Sequence, residues 1–225
     1  MVKKLNVQQA LETRHSVRAF TKQSVDPSII KKILDYAKYA PSGTNIQPWK
    51  VAVVSGENKL QLDQKLMQAF DETGAGKLSY QYYPLEWSEP YRTRRINCGK
   101  IMYETLKITR EDKAGQIKQW KANYRAFDAP VVLYFFLDPQ MQTGSFMDYG
   151  MFLQSIMLMA VQEGLATCPQ AALAEYPEIV KTHLNRNDDE QLICGIALGF
   201  EDKKQAVNQY RTGRLALEEF CEFYD

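Results

Sequence analysis

The sequence predicts one domain of mixed helical and strand structure. A length of 225 residues favours a single domain, or a single domain with an inserted lobe. A hydrophobic content of 45% is enough for a sizeable core and argues against disorder. Apolar runs typical of buried strands also alternate along the chain with segments whose apolar residues recur at helical spacing.

Helices are predicted at residues 7–14, 27–40, 57–70, 145–163 and 177–184, where Pro27 suits a first helical turn and Gly164 suits a helix end. Strands are predicted at 49–54, 131–137 and 192–198. The last two strands are apolar throughout, which is typical of strands buried on both faces.

Residues 77–128 differ from the rest of the chain because aromatic and basic side chains dominate them. Two further helices are predicted here, at about 89–107 and 111–125. The segment lies between two core strands, so we interpret it as an inserted lobe. Basic residues beside aromatic ones can indicate nucleic-acid binding. Packing of the aromatics and solvation of the charges is the favoured reading, because acidic residues such as Glu111, Asp112 and Asp128 dilute the charge.

Two segments carry more apolar surface than a small subunit easily hides. The segment 145–163 is apolar on nearly every side, and the tail 215–224 contains several apolar and aromatic residues. A helix of this kind is central to a fold or to an interface. The tail requires a groove, which a partner subunit could provide.

Composition excludes several classes of function. A net charge of +1 gives no footprint for nucleic acid or an anionic membrane, and no apolar run approaches the length of a membrane span. The four cysteines are scattered without a Cys-x-x-Cys pair, and the N-terminal residues lack the apolar core of a signal peptide, so a cytoplasmic location is expected. Two histidines and no Gly-x-Ser-x-Gly motif leave little for a metal site or a serine hydrolase. The chemistry is therefore expected to come from a bound cofactor.

Three short segments predict a site for a flat, anionic cofactor. Residues 14–18 (Arg-His-Ser-Val-Arg) and 211–214 (Arg-Thr-Gly-Arg) supply guanidinium forks that match phosphate oxygens. Residues 40–49 (Ala-Pro-Ser-Gly-Thr-Asn-Ile-Gln-Pro-Trp) supply amides, a hydroxyl and a carboxamide for a polar ring edge.

With these segments in this order, the chain resembles the FMN-dependent nitroreductase family. Residues 14–18 followed by Phe20 are similar to its first flavin motif, and residues 40–49 are similar to its second. Residues 164–169 look like the segment that passes the flavin ring, and Leu198-Gly199-Phe200 with Arg214-Leu215 look like the closing strand and the phosphate-binding end. The resemblance implies an α+β fold with a central, mostly antiparallel sheet flanked by helices, in an intertwined homodimer with FMN at the subunit interface.

The resemblance also implies which residues bind the cofactor. The set is Arg14, His15, Ser16, Arg18, Pro41, Ser42, Asn45, Thr167, Cys168, Pro169, Gln170 and Arg214. Arg14, Arg214 and Ser16 would bind the phosphate, and the cation of Arg18 would face the pyrimidine end of the ring. Cys168 falls near flavin N5, where a thiol is a weak donor, so the amides of Gln170 or Ala171 are alternative donors. Thr44, Tyr91 and Tyr103 are the expected substrate contacts, and no metal and no catalytic side chain are expected.

The implied reaction passes hydride from NAD(P)H through FMN to an electron-poor acceptor, a nitroaromatic or a quinone, by ping-pong kinetics. Three alternatives stay open. A reductive dehalogenase of halophenols would use lobe residues such as Glu89, Tyr91, Glu104 and Lys107. A flavin-binding storage or sensing module would turn over slowly. A nucleic-acid binder would use the basic lobe, although the nearly neutral net charge of the chain argues against this function.

Overall fold

A four-stranded antiparallel sheet forms the centre of the computed structural model, which describes residues 5–224. The strands are β1 (Lys50–Ser55), β2 (Val131–Leu137), β3 (Ala166–Gln170) and β4 (Gln191–Gly199), in the spatial order β1-β2-β4-β3. The predicted α+β class with an antiparallel sheet is confirmed. Two parts of the predicted domain lie outside the described residues. They are residues 1–4, which belong to the segment considered for a signal peptide, and residue 225.

Seven helices pack around the sheet within the described residues. They are α1 (Val7–Thr13), α2 (Pro27–Ala37), α3 (Gly56–Thr73), α4 (Tyr91–Thr105), α5 (Lys113–Lys121), α6 (Gly144–Gln162) and α7 (Pro177–His183). Asp26 caps α2 by accepting a hydrogen bond from the Ser28 amide, and Pro27 occupies its first turn. Gly164 follows α6 in the left-handed conformation, as expected of a glycine at a helix end.

Strand β2 is buried on both faces because a helical layer covers each side of the sheet. Its residues Val132, Tyr134 and Phe136 join a core that α3 and α7 complete. The alternate residues Leu133 and Phe135 join a second core, formed with α2 and α6. This arrangement explains the unbroken apolar run that predicted the strand.

The structure differs from the sequence prediction in two main places. Strand β3 was not predicted, because it is short and contains Pro169. The helix predicted to reach residue 125 ends at Lys121, and 3₁₀ turns follow in which Ala126, Phe127 and Asp128 are all left-handed. As expected from the sequence, the apolar surface of α6 is only partly covered within this chain, since Met147 is 73% exposed.

Candidate functional site

The segment after α1 runs alongside β3 and presents alternate side chains to one cavity. The amide of Val17 donates to the carbonyl of Thr167 at 3.0 Å, and Ser16 forms a parallel bridge with Thr167. Side chains alternate in an extended segment, so the buried side chain of Val17 points into the core while Arg14, Ser16 and Arg18 line the cavity.

The cavity has a volume of about 450 Å³, and residues near both ends of the chain line it. Its lining consists of Leu11, Glu12, Arg14, His15, Ser16, Arg18, Cys98, Tyr210, Arg211, Thr212 and Arg214. The structure therefore brings together the two basic segments that the sequence singled out. The volume lies within the range of small-molecule binding sites.

The cavity is strongly positive. Burial lowers the pKa of the Arg14 guanidinium, and the neighbouring charge of Arg214 lowers it further. Among residues 5–224, no carboxylate lies within ion-pairing distance of Arg14, Arg18 or Arg214. Glu12 lines the cavity, but its side chain accepts a hydrogen bond from Gln8. Like charges held together without a counterion favour the binding of an anion.

The side chain of His15 makes its polar contacts away from the arginines. Its Nδ1 lies 3.0 Å from the carbonyl of Thr13, and its Nε2 lies 3.2 Å from Glu201 Oε1. Both ring nitrogens therefore lie within hydrogen-bond distance of protein oxygens.

Strand β3 lies beside the basic cavity. Thr167 is buried, and its hydroxyl has no partner among the described residues. Burial raises the pKa of the Cys168 thiol to about 11, although Arg18 and Ser16 act in the opposite direction. Pro169 is exposed at the strand surface. The side-chain amide of Gln170 donates through Nε2 to the backbone carbonyl of Asn123 at 3.1 Å. The strand thus offers a neutral surface.

The loop with the second motif lies elsewhere, at the N-terminal end of α6. Asp148 on α6 accepts from the amide of Gly43 at 3.1 Å, and the Ser42 hydroxyl accepts from the amide of Gln47 at 2.9 Å. Thr44 and Asn45 are left-handed and exposed. Pro41, earlier in the loop, is also exposed. The loop is therefore fixed at its base and offers its polar side chains outward.

These two groups of predicted cofactor residues are not joined within one chain. The loop contacts α6 at Asp148, whereas Thr13 and His15 share a cavity with Val161 near the other end of α6. At about 1.5 Å per residue, Asp148 and Val161 lie roughly 20 Å apart along the helix. One chain thus holds the two groups of predicted cofactor residues apart.

The lobe provides a second, smaller cavity of about 240 Å³ next to the basic one. Arg18 lines both, and the other walls of the smaller cavity are Met102, Tyr103, Gln119, Trp120, Asn123 and Phe127. Tyr103, predicted to contact substrate, is therefore near Arg18. Tyr91 is exposed at the start of α4, where the Arg94 guanidinium lies 5.6 Å from the centre of its ring. It does not line this cavity.

Sequence reasoning missed several residues of the basic cavity, above all Tyr210 and Cys98. Tyr210 immediately precedes the basic segment 211–214, which was the signal that could have found it. Cys98 had no such signal, because only the fold places α4 against the C-terminal segment.

The described residues contain no group of three or more metal-binding side chains within reach of one ion. No helix within residues 5–224 has the length and apolar content that a membrane crossing requires.

Comparison with known proteins gives consistent matches over most of the chain. A sequence profile described as the Nitroreductase family matches residues 11–200. The chloronitrobenzene nitroreductase of Comamonas testosteroni is 37% identical over 214 residues, which cover 95% of this chain and 94% of that protein. The 4-nitrobenzoate reductase of Pseudomonas putida is 35% identical over 211 residues, or 94% of this chain and 92% of that protein. The crystal structure of the FMN and NADPH-dependent nitroreductase NfnB from Sphigopyxis sp. strain HMH has a TM-score of 0.94 and 39% identity, covering 98% and 100% of the two chains.

Proposed function

This chain belongs to the nitroreductase family, and from that premise we propose that it is an FMN-dependent oxidoreductase. It passes hydride from NAD(P)H through bound FMN to an electron-poor acceptor such as a nitroaromatic or a quinone. The two similar proteins described above are named as reductases of nitro compounds, and the similar solved structure is described as FMN and NADPH-dependent. Bound FMN supplies the hydride-accepting and hydride-donating chemistry.

The observation that carries the proposal is that Arg14 and Arg214 line one cavity and that neither forms an ion pair with a carboxylate of the described residues. Two guanidinium forks that repel each other are an unfavourable arrangement until a doubly charged group binds between them. A phosphate monoester would accept hydrogen bonds from both guanidinium groups and from the Ser16 hydroxyl. The donor set of the cavity therefore fits the phosphate of FMN.

The remaining residues of this half-site would orient a ring and exclude water from it. Arg18 offers a cation between the basic cavity and the smaller cavity of the lobe. Strand β3 offers Pro169 as an apolar contact beside the buried, protonated Cys168. A buried thiol is a poor donor, so an amide at Gln170 or Ala171 is the better candidate for a hydrogen bond to the ring.

We further propose that the working unit is a homodimer in which each site uses Arg14 of one chain and Asn45 of the other. The separation of roughly 20 Å along α6 argues that one chain does not complete a site by itself. The exposed apolar surface of α6, together with Phe220, Phe223 and Tyr224 of the tail, supports burial against a second copy. An isologous interface would then form two equivalent sites.

Within this single domain, we propose that residues 77–128 form an inserted lobe that selects the acceptor. Tyr103 and Trp120 line the smaller cavity beside Arg18, which supports a role in stacking on flat rings. We also place the enzyme in the cytoplasm, a proposal supported by the four free cysteines of the chain.

The test is spectroscopic and kinetic. Purified protein should show the two-banded flavin spectrum, release FMN on denaturation, and bleach rapidly on addition of NADPH or NADH. Re-oxidation should then require an acceptor, tested with nitrobenzene, 4-nitrobenzoate, a quinone and a halotyrosine. Released FAD would contradict the cofactor, and slow bleaching would favour a storage module. Turnover of halotyrosine but of no nitro compound would favour the dehalogenase.

A further inference from the structure

Tyr210 is in direct contact with Arg18 on the wall of the basic cavity. Arg18 Nη1 donates to the Tyr210 hydroxyl oxygen at 2.7 Å and to the Ser16 carbonyl at 3.3 Å. The guanidinium carbon lies 5.8 Å from the centre of the Tyr210 ring. These contacts involve one terminal nitrogen, so Nε and Nη2 keep no hydrogen bond to any other residue of the described chain.

The segment that carries Tyr210 is held firmly against the first motif. Asn208 is only 2% exposed, and its side chain bonds at both ends. Its Oδ1 accepts from the amide of Arg18 at 2.8 Å, while Nδ2 donates to the carbonyls of Ala19 at 2.8 Å and Asp202 at 2.9 Å. Because the oxygen and the nitrogen of the Asn208 side-chain amide are both hydrogen-bonded, the path of the chain leading to Tyr210 is fixed against the same extended segment that carries Arg18.

We propose that Tyr210 is a positioning residue for Arg18, holding the guanidinium so that its free N–H groups point to the bound flavin ring. This inference rests on the proposed function. Arginine has many rotamers, and a fork that is already oriented loses less freedom when it binds. A fixed cation is also worth more to a group that gains negative charge than a mobile one is. Tyr210 would therefore favour the reduced flavin over the oxidised flavin through Arg18.

A purely structural role for Tyr210 makes a different prediction, and Tyr210→Phe separates the two. This variant keeps the ring and its contact with the guanidinium but removes the acceptor oxygen. Tyr80→Phe is a matched control, because the partly buried Tyr80 hydroxyl donates to the carbonyl of Ile193 at 2.6 Å and does not line the basic cavity.

The measurement is the two-electron midpoint potential of bound FMN in wild type, Y210F, Y80F, R18A and the double variant Y210F/R18A. In Y210F we expect the preference for reduced over oxidised flavin to fall by about threefold to tenfold, a decrease of about 15–30 mV. The affinity for oxidised FMN and the KM for NADPH should change less than kcat. Y80F should match wild type, and Y210F should add nothing in the R18A background.

Two results would overturn the inference. One is an unchanged potential in Y210F, and the other is an equal shift whether or not Arg18 is present. The R18A pair keeps the test decisive if Y210F is unstable alone, because the double variant must then retain the same instability without a further shift in potential. A wild type that binds no FMN would refute the proposed function itself, and this inference with it.

Discussion

Arg14 and Arg214, from opposite ends of the chain, meet as like charges in one cavity. Burial lowers the pKa of the Arg14 guanidinium, and Arg214 lowers it further. This repulsion is useful only if an anion binds there, because it otherwise opposes folding of the C-terminal segment onto the first motif. The arrangement links cofactor binding to the placement of residues 211–214.

Arg214→Ala should therefore weaken FMN binding without weakening the fold. A charge-assisted hydrogen bond to phosphate is worth about 1.5–3 kcal/mol, which corresponds to roughly tenfold to hundredfold in affinity. The melting temperature of the cofactor-free variant should equal or exceed that of wild type, since one repulsive charge is gone. Titration with FMN and thermal melts measure both quantities. Arg214→Lys, which keeps the charge but not the fork, should lie between the two, and an unchanged FMN titration in Arg214→Ala would show that Arg214 is not a ligand.

Mixed dimers test whether each site draws on two chains. Arg14→Ala and Asn45→Ala should each bind FMN poorly in their own homodimers. In a mixed dimer, one site carries both substitutions and the other carries neither. The unsubstituted site should therefore bind FMN with wild-type affinity. The two variants can be co-expressed with different tags, the mixed dimer isolated by sequential affinity steps, and its FMN content measured against wild type. A mixed dimer with no recovered FMN would mean that Arg14 and Asn45 do not serve the same site across the interface.

Most secondary structure was predictable from local pattern, whereas the assembly of the site was not. Strand β2 was predictable because its residues are apolar throughout. They are apolar because each face of the strand packs against a helical layer. Strand β3 was missed because five residues that include Pro169 have no pattern of their own, and only pairing with β4 makes them a strand. The two basic segments were expected to converge, and they do. That the loop with Ser42 would lie at the far end of α6 depends on packing, which no local pattern reveals.

The cysteines should differ sharply in reactivity at neutral pH. Burial raises the pKa of Cys168 to about 11, so its thiol is protonated as well as inaccessible. Cys98 is exposed and lines the basic cavity. We expect iodoacetamide to modify Cys98 well before Cys168 and expect FMN to slow that modification. Peptide mass spectrometry over a time course, with and without FMN, measures both rates, and Cys98→Ser is the control. Equal rates at the two cysteines would contradict the burial of Cys168.

The buried pair Lys59–Asp63 should be costly to break but not to replace. Lys59 is 4% exposed and Asp63 is 5% exposed, and Lys59 donates to Asp63 and to the carbonyl of Arg125. Lys59→Met leaves a buried carboxylate without its partner and should lower the free energy of unfolding by about 3–5 kcal/mol at neutral pH. Lys59→Met/Asp63→Leu should recover most of that loss. Urea unfolding of the single and double variants measures the difference, and a double variant no more stable than Lys59→Met would contradict this account.

The same pair predicts the sign of a pH effect. Burial raises the pKa of Asp63 to about 6 from 3.8, so the folded protein holds a proton between these values that the unfolded chain has released. The unfavourable contribution of the buried carboxylate is thus fully present above about pH 6 and is relieved as the pH falls. Wild type should gain stability relative to the double variant between about pH 7.5 and about pH 5. A constant difference across that range would argue against a raised pKa.

The arginines of α4 should influence which acceptor is preferred. Arg94 lies over Tyr91 and Arg95 lies over Trp87, with guanidinium carbons 5.6 Å and 5.2 Å from the ring centres, while Arg92 is exposed. An exposed ion pair contributes about 0.2–1 kcal/mol, so loss of one arginine that reads a carboxylate should reduce kcat/KM for 4-nitrobenzoate by about 1.4-fold to fivefold. The value for nitrobenzene should stay constant, and FMN binding should persist because its proposed ligands lie outside the lobe. The ratio of the two kcat/KM values in wild type, Arg92→Ala, Arg94→Ala and Arg95→Ala, measured at low and high salt, provides the test. If all four proteins show the same ratio, these arginines solvate the lobe and the acceptor is selected by its aromatic residues alone.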